Sequence, residues 1–247
     1  RPRPVPRSSL QIQQSCKIMN SPIFTGDGPA LVIAPHPDDE VLGAGGTIAR
    51  LADQGRAVHV AIVTRGRPPR FSAEQIHTVR EEAAAAHAHL GISQTHWLDF
   101  PAAELAEYPH ADLNGGLGAL VRDLDPTLVL APHPGDIHLD HQLCFLSTLV
   151  ASRPHQARHP SVIAAYETLS ETNWNAPYLT PAFVPNVFVD ISATLDRKLE
   201  AFQLFASQVR EAPHERSVES LRALATLRGA TVHRSAAEGF VLVRYVV

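Results

Sequence analysis

Residues 30–40 read ALVIAPHPDDE, and this stretch decides the fold. Ala30 to Ala34 is an unbroken apolar run of strand length, the pattern of a strand buried on both faces. Pro35 and Pro37 end it. Asp38, Asp39 and Glu40 then lead into a helical stretch, Asp39 to Gln54, which Gly55 closes.

The same alternation continues outward. Strands are expected at Val58–Val63, Thr95–Leu98, Thr127–Ala131, Ser161–Ala165, Asn186–Ile191 and Phe240–Val246. Helices are expected at Ala73–Leu90, Leu113–Leu124, His141–Ser152 and Val218–Arg228. Leu195, Leu199, Phe202 and Ala206 mark one face of a further helix. Apolar strands alternating with helices predict an α/β, Rossmann-like fold, with a mostly parallel sheet covered by helices on both faces.

Composition sets the bounds. The 247 residues are 45% hydrophobic and carry a formal net charge of only -4, so the bulk of the chain can bury a core. No apolar run reaches the length of a membrane span. Arg1, Arg3, Arg7 and Lys17 make residues 1–20 basic, and the only Met is Met19. The expected organisation is a disordered or vector-derived leader over 1–20 and a single α/β domain over 21–247. The acidic body argues against binding nucleic acid. Two cysteines, Cys16 and Cys144, make no disulfide framework and fit a reducing, cytoplasmic compartment.

Two clusters carry chemistry. His36, Asp38, Asp39 and Glu40 follow the first strand, where ligands bind in open parallel sheets. Capping would account for one acid at a helix start but not for the histidine as well. The second cluster, His133 to His141, reads HPGDIHLDH and follows the strand TLVLA. Its His138-x-Asp140-His141 spacing suggests a ligand beside a carboxylate–histidine pair. Imidazole and carboxylate are ordinary zinc ligands, and three protein ligands with one open position mark a catalytic site. His36 and Asp39 are placed to share an ion, leaving Asp38 free to accept a proton.

APHPDDE, the later HLDH and their order resemble the zinc-dependent N-acetylglucosaminyl deacetylases of the PIG-L (LmbE-like) family. VREEAAAAHAHLGI, VDISATLDRKLEAFQLFASQ and AEGFVLVR extend the likeness over Ala30 to Val247. The resemblance implies that His36, Asp39 and His141 hold Zn2+ or another divalent ion, and that Asp38 is the general base toward its water. His138 would stabilise the oxyanion or protonate the leaving amine, with Asp140 holding His138 and favouring its charged form. Arg80 would contact sugar hydroxyls. Ala102 stands where the family often places a sugar-binding Asp, so either Asp99 or Glu104 takes its part or the sugar differs.

Gly43, Gly45 and Gly46 do not complete a dinucleotide fingerprint, since Ile48 occupies its third glycine; close helix–sheet packing is their expected role. No G-x-S-x-G elbow exists. Arg65 begins a basic loop suited to a substrate anion, and Trp174 could stack on a sugar ring. The expected activity is removal of acetyl from an N-acetylglucosamine-type sugar or glycoconjugate, a small-molecule substrate, with self-association left open. The alternatives are a hydratase acting on a small unsaturated acid and a metal-bearing binding protein.

Overall fold

The computed structural model describes residue 24 and residues 27–247; the basic leader and Cys16 lie outside the described residues. The elements are β1 (Ala30–Ala34), α1 (Asp39–Asp53), β2 (Val58–Arg65), α2 (Ala73–Leu90), β3 (Gln94–Pro101), α3 (His110–Leu124) and β4 (Leu128–Pro132). They continue with α4 (Leu139–Ala151), β5 (Val162–Tyr166), β6 (Val187–Asp190), α5 (Leu195–Gln203), α6 (Val218–Thr231) and β7 (Ala237–Tyr245).

The seven strands form one sheet in the order β3-β2-β1-β4-β5-β7-β6. The first five are parallel to one another. β7 runs antiparallel to both β5 and β6, so the last pairings depart from the parallel pattern. Apolar residues alternate across the two faces. Ala30, Val32 and Ala34 pack with α1, α2, α5 and α6, whereas Leu31 and Ile33 pack with α3 and α4.

β1 lies between β2 and β4, and the chain leaves it in opposite directions on its two sides. The crevice beyond the carboxyl ends of β1 and β4 is therefore the switch point of the sheet, where such folds bind ligands.

α1 is buried on nearly every side. A Cβ on Gly43 would lie 2.1 Å from the Tyr166 ring, and one on Gly46 2.8 Å from Ile191, so these glycines allow close helix packing. Tyr166 in turn donates its hydroxyl to the Ile33 carbonyl at 2.7 Å. Glu238 of β7 accepts from the N–H groups of Gly46 and Thr47 and pairs with buried Lys198 of α5 at 2.6 Å. The helix that carries the first cluster is thus fixed by both the sheet and α5.

Candidate active site

The β1–α1 and β4–α4 junctions meet at the switch point. His36 Nδ1 lies 3.3 Å from Asp39 Oδ2, and His141 Nε2 lies 3.2 Å from the same oxygen. The His36 and His141 rings are 5.4 Å apart. One ligand atom from each of His36, Asp39 and His141 falls within 4.8 Å of the others. His36, His138 and Asp140 form a second such group.

Burial tests whether the first group suits a cation. Asp39 Oδ1 and His141 Nε2 are buried and have no hydrogen-bond partner. Such groups are costly unless something satisfies them. Burial alone would push the His36 imidazole down, but hydrogen bonds to Asp140 and Asp39 outweigh it and lift it to about 9. Burial likewise opposes charge on His141, and Asp39 and Asp136 lift it to about 10. Asp39 is held well below the usual carboxylate range by His141 and His36, against the effect of burial. The pocket therefore favours positive charge where two imidazoles and a carboxylate converge. These residues fit a divalent ion bound through nitrogen and oxygen.

The carboxylates around the imidazoles differ from the expected pairing. Asp136, not Asp140, orients His141, through Nδ1 at 2.8 Å, and itself accepts from Thr172 Oγ1 at 2.6 Å. Asp140 places its carboxylate 3.1 Å from His36 Nε2 and accepts from the Ala103 N–H at 2.6 Å. Its only bond to His138 is through the backbone, the Asp140 N–H donating to His138 Nδ1 at 3.1 Å. That bond makes Nδ1 an acceptor, so Nε2 carries the hydrogen. Burial and the charge on His36 push His138 down to about 4, which favours its neutral form, with Nε2–H as donor.

Asp38 is buried, with φ 110°, and makes no capping bond with its side chain. Burial, opposed by Arg216 and reinforced by Asp39 and Glu40, raises its carboxyl to about 7. Arg216 Nη1 donates to Asp38 Oδ2 at 2.8 Å, and its Nε to Ser170 Oγ at 3.1 Å. Nothing in the sequence singled out Arg216, which reaches the site from the irregular segment before α6.

A cavity of about 600 Å³ opens at the junctions, within the range of small-molecule sites. His36, Asp38, His138, Glu171 and Arg216 line it, while Asp39 and His141 lie behind them. Arg65 and Arg80 line it as well, with Trp97, Ala102 and Arg210. Arg80 pairs with Asp99 and sits 4.4 Å above the Trp97 ring. Glu104 pairs with Arg67. Neither Asp99 nor Glu104 lines the cavity; Glu171 and Glu74 are its carboxylates besides Asp38. Trp174 is also outside the lining, more than half exposed, with its ring edge-on to His214.

Comparison with known proteins gives concordant matches. The model of the PIG-L family, described as GlcNAc-PI de-N-acetylase, matches residues 31–152. A diacetylchitobiose deacetylase of Thermococcus kodakarensis is 31% identical, over 90% of this chain and 85% of that protein. The N,N'-diacetylchitobiose deacetylase structure from Pyrococcus horikoshii superposes with a TM-score of 0.71 at 25% identity, covering 96% of this chain and 94% of that one. The 4-carboxy-2-hydroxymuconate hydratase GalB of Pseudomonas putida KT2440 gives a TM-score of 0.67 at 26% identity, covering 89% and 98%. Among the described residues, no helix is long and apolar enough to cross a membrane.

Proposed function

Because the chain belongs to the PIG-L family of de-N-acetylases, we propose that it is a metal-dependent hydrolase that removes acetyl from an N-acetylglucosamine-type sugar or glycoconjugate. The observation that carries this reading is the convergence of His36, Asp39 and His141 beside the cavity, with two of their buried polar atoms unpartnered. These three residues would hold the ion. When bound, Zn2+ or a similar ion supplies Lewis acidity, polarising a carbonyl and acidifying a water.

The chain's own groups then share the proton work. Asp38 takes a proton from the attacking water; its raised carboxyl, near 7, is matched to accepting and returning protons at neutral pH. The water oxygen bonds to the acetyl carbon, the C–N bond breaks, and the nitrogen leaves as the free amine after receiving from Asp38 the proton taken from the water. The products are acetate and an amino sugar. His138 donates its Nε2–H to the carbonyl oxygen as negative charge builds there, a contribution of about 3–4 kcal/mol for one preorganised donor. Asp140 supports this by fixing the His138 tautomer through its backbone N–H and by holding His36 through its carboxylate. Arg216 steadies Asp38.

Arg80, stacked on Trp97 in the cavity wall, would bind sugar hydroxyls. Glu171, which lines the cavity 3.8 Å from Arg216, would take the part of the acid missing at Ala102. Trp174 lies too far out for a stacking role in this reading.

The similarity to a hydratase favours a second reading, addition of water to a small unsaturated acid. Arg65 would then bind a carboxylate. One panel tests both: the zinc-loaded chain is given N-acetylglucosamine glycosides and unsaturated dicarboxylates. Equimolar acetate and amine from the glycosides is the expected result. Loss of the dicarboxylate's ultraviolet absorbance without acetate release would overturn it.

A further inference from the structure

Two buried ionisable residues near the site neither bind nor transfer anything in the chemistry above, although Glu40 helps to raise the Asp38 carboxyl. Glu40 is fully buried and His87 is 3% exposed. Glu40 Oε1 lies 2.9 Å from His87 Nε2, and His87 Nδ1 lies 2.7 Å from Thr95 Oγ1. A carboxylate can only accept, so His87 Nε2 carries the hydrogen of that bond. The other carboxylate oxygen, Oε2, accepts from the backbone N–H of Asp38 at 3.2 Å. A continuous chain of contacts therefore runs from β3, through α2, to the backbone of Asp38.

That backbone needs holding. At φ 110° and ψ -27° Asp38 occupies a region that residues with a Cβ avoid, and such strain persists only where the surroundings impose it. The Asp38 side chain does not impose it, since its carboxylate is turned to Arg216 and makes no capping bond. Favouring the helix dipole would explain an acid at position 40. It would not explain one turned inward onto a histidine 47 residues away.

We infer that Glu40, His87 and Thr95 are positioning residues that hold Asp38 in its strained backbone conformation and so aim its carboxylate into the cavity. The kinetic consequence rests on the deacetylase reading; the conformational consequence does not. Relaxing Asp38 to a negative φ would swing its carboxylate away from the cavity.

The test uses the full chain in four forms: wild type, Glu40→Ala, Glu40→Gln and His87→Leu. Each is examined for metal content, for kcat and KM on an N-acetylglucosamine glycoside, and by crystallography. Glu40→Ala is expected to lower kcat about 100-fold, the scale of a misplaced general base, with KM and metal content within about twofold of wild type. Glu40→Gln keeps an oxygen for the Asp38 N–H, and its amide NH2 can donate to His87 Nε2 once the ring takes its other tautomer, with Nδ1–H toward Thr95 Oγ1, so it should recover most of that loss. His87→Leu should lower kcat about tenfold. Crystal structures of Glu40→Ala and His87→Leu should show Asp38 at negative φ. Should Glu40→Ala fail to fold, His87→Leu carries the same readouts. Unchanged kcat with φ still near 110° in His87→Leu would overturn the inference, as would equal losses in the Ala and Gln variants. If wild type releases no acetate, the deacetylase reading fails, and the Asp38 φ of the variants still decides this proposal.

Discussion

The β1–α1 and β4–α4 junctions begin alike, each a buried strand running into a helix through a His- and Asp-rich turn, yet they are built differently. The first enters its helix through Asp38 at φ 110°, with no side-chain cap. The second enters through His138 at φ -77°, with Nδ1 capping the helix by accepting from the Asp140 N–H. At the strained junction the Asp38 side chain makes no cap and faces the cavity, while Asp39 turns to the imidazoles and also accepts from the His36 N–H at 2.8 Å. The relaxed junction uses its imidazole as the cap, which fixes that ring as an Nε2–H donor. Helix capping and site chemistry thus compete for the same side chains, and each junction resolves the competition in its own way.

The contrast is broken most severely at the first junction. Asp38→Asn keeps size and the Arg216 contact but cannot accept the proton. It should lower kcat roughly 10³-fold while zinc content, measured by mass spectrometry, stays near one per chain. At the second junction, His138→Ala should cost roughly 10²–10³-fold in kcat, and His138→Gln, which keeps an N–H donor, distinctly less. Steady-state rates on one glycoside compare the two.

Asp136→Asn sharpens the comparison further, because it keeps the side chain's size and an oxygen while loosening the hold on the His141 tautomer. Metal affinity should fall about 10–100-fold, read by chelator competition. Protonation gives a companion test. With His36 near 9 and His141 near 10, both imidazoles are protonated at pH 7.5 in the metal-free protein. Binding an ion to them must release close to two protons, so affinity falls as pH falls. Calorimetry in buffers of different ionisation enthalpy counts those protons. The smallest effect is expected at the rim, outside both junctions: Arg65→Gln should change KM a few-fold and leave kcat alone.

Much of this was legible in the sequence because burial on both faces leaves a plain apolar signature. β1 and α2 run as expected, and the positions of both His/Asp clusters at strand ends follow from them. The direction of β7 was not legible, because its apolar pattern reads the same parallel or antiparallel. Spacing also failed to say which carboxylate reaches which ring. Asp136, Asp140 and His141 lie within six residues, and only the turn geometry assigns Asp136 to His141 and Asp140 to His36. Arg216 and His87 carry no local signal at all. They reach the β1–α1 junction from 178 and 47 residues away, through tertiary packing alone.

The most direct test is a crystal structure of the zinc-loaded protein with anomalous data at the zinc edge. The account predicts a single peak bonded to His36, Asp39 and His141, next to the Asp38 carboxylate. A peak held instead by His36, His138 and Asp140, or none at the strand ends, would contradict it.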